Sequence, residues 1–164
     1  MKKIEESHAS DTEKVVSLIK NIKRTVREFG IKKPYLLSIG ERAEIVAQLY
    51  RQRQKNTQET LDDLKVIIRE INEAQKEEKQ KNMSTEAFSI YWILKREAVA
   101  HPEENAVRME EILLQFPHWK KSERHERKVR QNLYNILLKA GVGDISGIPS
   151  IAQSIIRILK GGEE

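Results

Sequence analysis

At 164 residues the chain suits one domain or a long helical module and does not require two, and its 38% hydrophobic content supplies a real but modest core. Charged residues make up 34%, aromatic residues 5%, and glycine and proline together 11 of 164, a balance of helices with solvated faces that leaves extended sheet poorly supplied. The net charge is +5 and cysteine is absent, which excludes disulfides and thiolate metal sites and points to a reducing compartment.

Apolar spacing predicts seven helices, and so an all-α, compact multi-helix domain. From Asp11 to Phe29 the residues Val15, Ile19, Ile22, Val26 and Phe29 step by four and three, with Ser10 or Asp11 as cap and Gly30 as stop. The segment KKPYLLSIG reads as a connector, because Pro34 biases Lys33 away from helix and Gly40 allows a tight entry to the next element. Tyr35, Leu36 and Leu37 would lie against the core. A second helix is predicted from Glu41 to about Arg53, burying Ile45, Val46, Leu49 and Tyr50 and leaving Arg42, Arg51 and Arg53 outside.

The third and longest helix begins at Asn56 or Thr57 and carries Leu61, Leu64, Ile68 and Ile71. Its end, EAQKEEKQKN, is polar on every side and reads as a protruding last turn held by Glu73 with Lys76 and Glu77 with Lys81. Ser84 and Thr85, followed by Glu86, start a helix through Phe88, Tyr91, Trp92 and Leu94. Pro102 opens the next, with Ala106, Met109, Leu113 and Phe116 inward and Pro117 as its stop. Ser122 begins another, with Val129, Leu133, Ile136 or Leu137 and Ala140 inward and Gly141 at its C-terminus. After a loose VGDISG turn, Pro149 starts a short helix with Ile151, Ile155 and Ile158 or Leu159. The runs Phe88 to Leu94 and Leu133 to Leu138 are broad enough for central helices, and no repeat of 20 to 50 residues supports a solenoid. The expected core is Ile22, Val26, Leu49, Leu64, Ile68, Phe88, Trp92, Leu113, Phe116, Leu133 and Leu137.

Catalytic and membrane signatures are not found. No GxxxxGK[ST] loop is present, and Glu126-Arg127-Lys128 matches half of a metal-dependent nuclease motif by letter without the strands that would carry it. Asp62-Asp63 and Glu110-Glu111 are sequence neighbours about 100° apart on a helix and do not converge. His8, His101, His118 and His125 lack HExxH spacing, although His118 and His125, seven apart, return to one helix face. No apolar run reaches the roughly 18 residues of a membrane span, and MKKIEESHAS has no apolar stretch of a signal peptide, so a soluble, cytoplasmic protein is expected.

Charge is unevenly placed. Residues 1–33 carry nine Lys/Arg against five Asp/Glu, residues 34–117 twelve against fifteen, and residues 118–160 nine against three. Segregation of this kind favours nucleic acid or an acidic protein surface, with ordinary solvation as the plain alternative. The basic helix after Trp119 is the densest part: Lys120, Lys121, Arg124, Arg127, Lys128 and Arg130 are the candidate partner-binding residues, with Trp119 as a docking aromatic or a helix-entry core residue. Cations near a helix start oppose the macrodipole, so helix stability does not account for them.

SIGERAEIVAQLYRQRQKNTQETLDDLKVIIREI resembles the C-terminal region of type I restriction-enzyme R subunits, where an IGERAE-like turn precedes a helix ending in an RQ-like run and a TLxxL-like helix follows. STEAFSIYWILKREAV is similar to that family's next helix, and FPHWKKSERHERKVRQNLYNILLKAG to its aromatic-Trp entry and basic helix. The similarity runs from about residue 36 to residue 160 as a loose helical pattern, and the long polar end of the third helix departs from it.

The resemblance implies an N-terminal helix and connector (1–35), a helical C-terminal assembly domain (36–160) and a tail (161–164). It implies a non-catalytic fragment with no cofactor of its own, Met1 being an added start or part of a preceding linker. The full-length subunit would be an ATP-dependent type I site-specific deoxyribonuclease using ATP and magnesium. The fragment would dock that motor on the methylation and specificity subunits and lie close to double-stranded DNA. A free-standing nucleic-acid-binding or regulatory helical protein stays open as the alternative, as does a nucleotide site built from arginine forks.

Overall fold

The computed structural model describes residues 10–142 and 145–161. The first nine residues with His8, Gly143 and Asp144 of the VGDISG turn, and Gly162 to Glu164 of the tail lie outside the described residues. Among those described, every regular element is helical, as the spacing predicts: seven α-helices and one short 3-10 turn. None of these helices is long and apolar enough to cross a membrane. The helices group into two compact units that divide between Gln80 and Lys81, where length alone suggests one.

In the first unit, α1 (Asp11–Phe29) starts on a capping box: the Ser10 hydroxyl accepts from the Glu13 amide, and the Glu13 carboxylate accepts from the Ser10 amide at 2.8 Å. Its buried stripe is Val15, Leu18 and Ile22, rotated from the expected one so that Phe29 is 45% exposed. The next helix corrects the sequence reading most. KKPYLLSIG is not a connector: α2 spans Tyr35–Arg51, and Pro34 occupies its N-cap, where a missing N–H costs nothing. Its buried face is Tyr35, Leu36, Ile39, Ala43 and Ala47, whereas Ile45, expected inside, is 57% exposed, and Val46, Leu49 and Tyr50 are only partly covered.

Small residues take the inward positions because α1 runs close to α2. Gly40 lies within α2, and a Cβ there would stand 2.8 Å from Val26 Cγ2. Arg42 is not free outside but pairs with Glu70, and Glu44 receives both Lys23 and Arg51. These two cations, Lys23 first, hold the Glu44 carboxyl below its ordinary range.

The third helix, α3 (Thr57–Gln80), packs on both α1 and α2 through Leu61, Leu64, Ile67, Ile68 and Ile71. Asn56 caps it by accepting from the Glu59 amide at 2.9 Å, and Glu59 answers on the Asn56 amide at 2.9 Å. Its polar end does not protrude as a solvated turn. Ala74 is buried, and Glu78 accepts from the Tyr35 hydroxyl at 2.9 Å while pairing with Lys33. Burial and the adjacent Glu78 carboxylate raise the Tyr35 phenol well above its usual value, so it stays a donor.

The second unit contains α4 (Thr85–Arg96), α5 (Pro102–Gln115), α6 (Glu123–Lys139) and α7 (Ile148–Leu159), the last preceded by a 3-10 turn over Ile145–Gly147. Ser84 caps α4 by accepting from the Ala87 amide at 3.0 Å, and Pro102 stands at the start of α5, as predicted. Helix α4 packs against α5 and α7, and α6 against the same two, so the four helices close a ring. All eight residues Ala87 to Leu94 are buried, in keeping with a central helix. Helix α6 is different: Val129, Leu133 and Leu137 are buried, but Leu138 is 51% exposed, so it presents one apolar face. Gly141 follows it with φ +68°, a left-handed conformation that glycine adopts without a Cβ penalty.

Of the expected core, Ile22, Leu64, Ile68, Phe88, Trp92, Leu113, Leu133 and Leu137 are buried, while Val26, Leu49 and Phe116 lie at its margin.

Two stability measurements follow from this packing. Leu133→Ala, at a fully buried position, should lower the unfolding free energy in urea by about 2–5 kcal/mol. Gly40→Ala gains about 1 kcal/mol of helix propensity but overpacks Val26 at a cost of about 1–3 kcal/mol, so a net loss is expected. Combined with Val26→Ala the same glycine substitution should become stabilising, and a gain in the unaltered background would show that α1 yields freely.

Candidate functional site

The cations that cluster in the sequence after Trp119 separate into two groups once α6 is set on its buried stripe. Arg130 points back into the second unit: it donates to Glu126 at 2.8 Å and also bonds the Gln153 side chain of α7. Glu126 in turn accepts from Lys160 at 2.6 Å, so one carboxylate gathers a cation from its own helix and another from just beyond α7. The Lys160 hydrogen bond is the main reason the Glu126 carboxyl lies below its ordinary range; burial opposes the shift, and Arg130 adds to it. Lys120 pairs with Glu86 of α4 at 3.1 Å, with its ammonium 5.6 Å from the Trp119 ring centre. Trp119 is 4% exposed and belongs to the core, so it offers no face to a stacking partner.

The other group faces solvent. Arg124, Lys128, Gln131 and Asn135 follow one another at offsets of four, three and four, and all are exposed. At about 100° per residue this ridge lies opposite Val129, Leu133 and Leu137. Arg127 flanks it, and Lys121 extends it before the first turn, both exposed. Arg127 meets Glu123 at 3.1 Å, an exposed i,i+4 pair with the acid N-terminal, the favourable order. Among the described residues no carboxylate pairs with Lys121, Arg124 or Lys128. A shallow concavity on this face is lined by Glu123, Arg124, Arg127, Lys128 and Gln131.

The structure therefore brings four of the seven candidate residues onto one face, buries Trp119 and half-buries Arg130, while Lys120 stays exposed and pairs with Glu86. It also supplies what the sequence reading passed over. Glu123 and Glu126 stand in the first turn of α6, where negative charge suits the helix start, and each takes an arginine four residues on. Helix stability thus accounts for Arg127 and Arg130 and leaves Lys121, Arg124 and Lys128 without such a reason. Gln131 and Asn135 join the ridge as neutral hydrogen-bonding side chains whose signal was their spacing from Arg124.

His118 and His125 come together as the seven-residue spacing allows, their rings 6.4 Å apart at 19°, with Phe116 5.7 Å from His125. Among the described residues no group of three or more His, Asp or Glu side chains is placed to hold a metal ion. The arrangement on the outer face of α6 suits binding of a negatively charged partner through charge and hydrogen bonds.

No family model matches the sequence, and no solved structure matches it. The chain is similar to a protein of Methanocaldococcus jannaschii described as "Putative type I restriction enzyme MjaIXP endonuclease subunit", with 26% identity over 153 residues. That alignment covers 87% of this chain and spans 15% of the relative's length.

The Glu126 arrangement makes the attachment of α6 to α7 sensitive to acid. A carboxyl whose pKa is lowered by folding contributes stability above its ordinary value of 4.5, and the contribution is lost as pH falls through the folded value. Glu126→Gln should therefore lower the urea midpoint at about pH 7, and the gap from the parent chain should narrow as the pH is taken down through and below the ordinary carboxylate range. A gap that persists at the lower pH would mean that the glutamine disturbs packing and not the ion pairs.

Proposed function

We propose that this chain is a non-catalytic helical region of a type I restriction enzyme's endonuclease subunit, the C-terminal part that docks the DNA-translocating motor on the methylation and specificity subunits. The observation that carries the reading is the similarity to the archaeal endonuclease subunit over 153 residues, which takes in nearly all of this chain and only 15% of the relative. An alignment that takes in so small a share of a longer subunit supports reading the chain as one region of it. The resemblance of residues 36–160 to the C-terminal pattern of R subunits points the same way. On this reading ATP and magnesium are bound elsewhere in the full-length protein, and 36–160 is the assembly region.

The helical architecture suits such a role. Each unit has its own buried stripe on every helix, and the second presents one face of α6 crowded with charge that its own packing does not use. A free-standing nucleic-acid-binding or regulatory protein would use the same face, and co-expression separates the two readings. The 164-residue chain, tagged and expressed with the methylation and specificity subunits of the same system, should co-elute with them in size-exclusion chromatography. Elution of the chain alone at micromolar concentration, with the other two proteins forming their own complex, would favour the free-standing protein.

A further inference from the structure

The outer ridge of α6 has a composition that discriminates between kinds of partner. A protein interface is built around buried apolar or aromatic anchors and is depleted of lysine at its centre. Here the candidate aromatic, Trp119, is in the core, and the ridge from Lys121 to Asn135 is formed by long polar side chains, with Leu138 exposed only beyond its far end. Interfaces with nucleic acid are more polar and far more positively charged. Arginine, lysine, glutamine and asparagine are the side chains that bond phosphate oxygens.

Geometry favours a long, regular polyanion. The ridge runs for about 20 Å along α6, from just before its first turn towards its last, at a rise of about 1.5 Å per residue. Its cations, Lys121 to Lys128, occupy about the first 10 Å and the neutral Gln131 and Asn135 continue the line, so they meet a row of charges and not a single point. The carboxylate on this face, Glu123, is engaged by Arg127. Arg130 is half-buried and held by Glu126, whereas Lys120 is exposed and pairs with Glu86 of α4.

We propose that the outer ridge of α6 binds the phosphate backbone of duplex DNA. Lys121, Arg124, Arg127 and Lys128 neutralise phosphates, and Gln131 and Asn135 donate hydrogen bonds to phosphate oxygens farther along the helix. The contact is one of charge and therefore independent of base sequence. This names the partner of the surface described above and stands whether or not the chain serves a restriction enzyme.

The test uses the whole 164-residue chain and a fluorescently labelled duplex of about 20 base pairs, with affinity read by anisotropy across about 50–200 mM salt. The parent chain should show an affinity that falls steeply with salt, with a log–log slope of about −0.9 for each phosphate neutralised. Arg124→Ala and Lys128→Ala should each make that slope shallower by about one and weaken binding most at low salt, with helicity by circular dichroism unchanged. Gln131→Ala should weaken binding with the slope preserved. Arg108→Ala, at an exposed arginine of α5 that meets Glu104, should change neither quantity.

Equal binding by the parent and the Arg124→Ala, Lys128→Ala double variant would overturn the proposal. So would competition by polyglutamate as effective as that by unlabelled duplex at equal charge. The same double variant, carried through the co-elution experiment with the methylation and specificity subunits, keeps the two ideas apart. Loss of DNA with co-elution retained supports the ridge as the DNA surface. Loss of co-elution with DNA affinity intact overturns it in favour of a protein dock, and failure of the parent chain to co-elute bears only on the restriction reading.

Discussion

The outward ridge depends on the rotational setting of α6 about its own axis. Val129, Leu133 and Leu137 fix that setting from the apolar side, and Glu126, held between Arg130 and Lys160, fixes it from the polar side. A rotation of one residue, about 100°, would carry Arg124 and Lys128 to the flank and expose part of the buried stripe. The ion-pair cluster is partly shielded from water, so its contribution is larger than that of the exposed Arg127–Glu123 pair, where screening and side-chain entropy offset most of the attraction. The same cluster ties α6 to α7, and through α7 the helix is joined to α4, whose centre from Ala87 to Leu94 is buried.

Charge density in a sequence and charge available on a surface prove to be different quantities. Counting along the chain places six cations between Lys120 and Arg130, yet Lys120 and Arg130 are committed to carboxylates on α4 and α6 respectively. The acidic partners come from both near and far: Glu123 and Glu126 lie within the same helix, but Glu86 is 34 residues away. Local partners are visible at i,i+4 spacing, whereas the Glu86 pairing becomes visible only when α4 and the start of α6 are placed in space.

Helix starts were the most legible part of the fold. Ser10, Ser84, Pro102 and Ser122 each stand where a side-chain acceptor or a missing N–H satisfies the first turn, and these rules act within four residues of sequence. Pro34 obeys the same rule at the start of α2, but KKPYLLSIG reads as a connector because Pro34 biases Lys33 away from helix and Gly40 suggests a tight entry to a later element. The buried face there depends on Gly40, Ala43 and Ala47, small residues whose value is to let helices approach, and a search for large apolar side chains passes over them. Glu78 is a second case. On a segment that looks uniformly polar, its role is set by Tyr35 and Lys33 more than forty residues earlier, a contact that periodicity cannot express. For the site, the basic helix, its inward stripe and the helix-entry core reading of Trp119 were legible, and the sorting of the cations was not.

The separation of faces on α6 also bears on how this protein tolerates change over generations. Residues on the outward ridge share no packing with Val129, Leu133 or Leu137, so replacing one polar side chain there by another leaves folding nearly untouched. Such a surface is free to drift, gaining or shedding affinity in small steps while the scaffold beneath stays under strict selection. Related chains should then preserve the inward stripe and the acid that anchors it, and vary in the number and order of the cations outside.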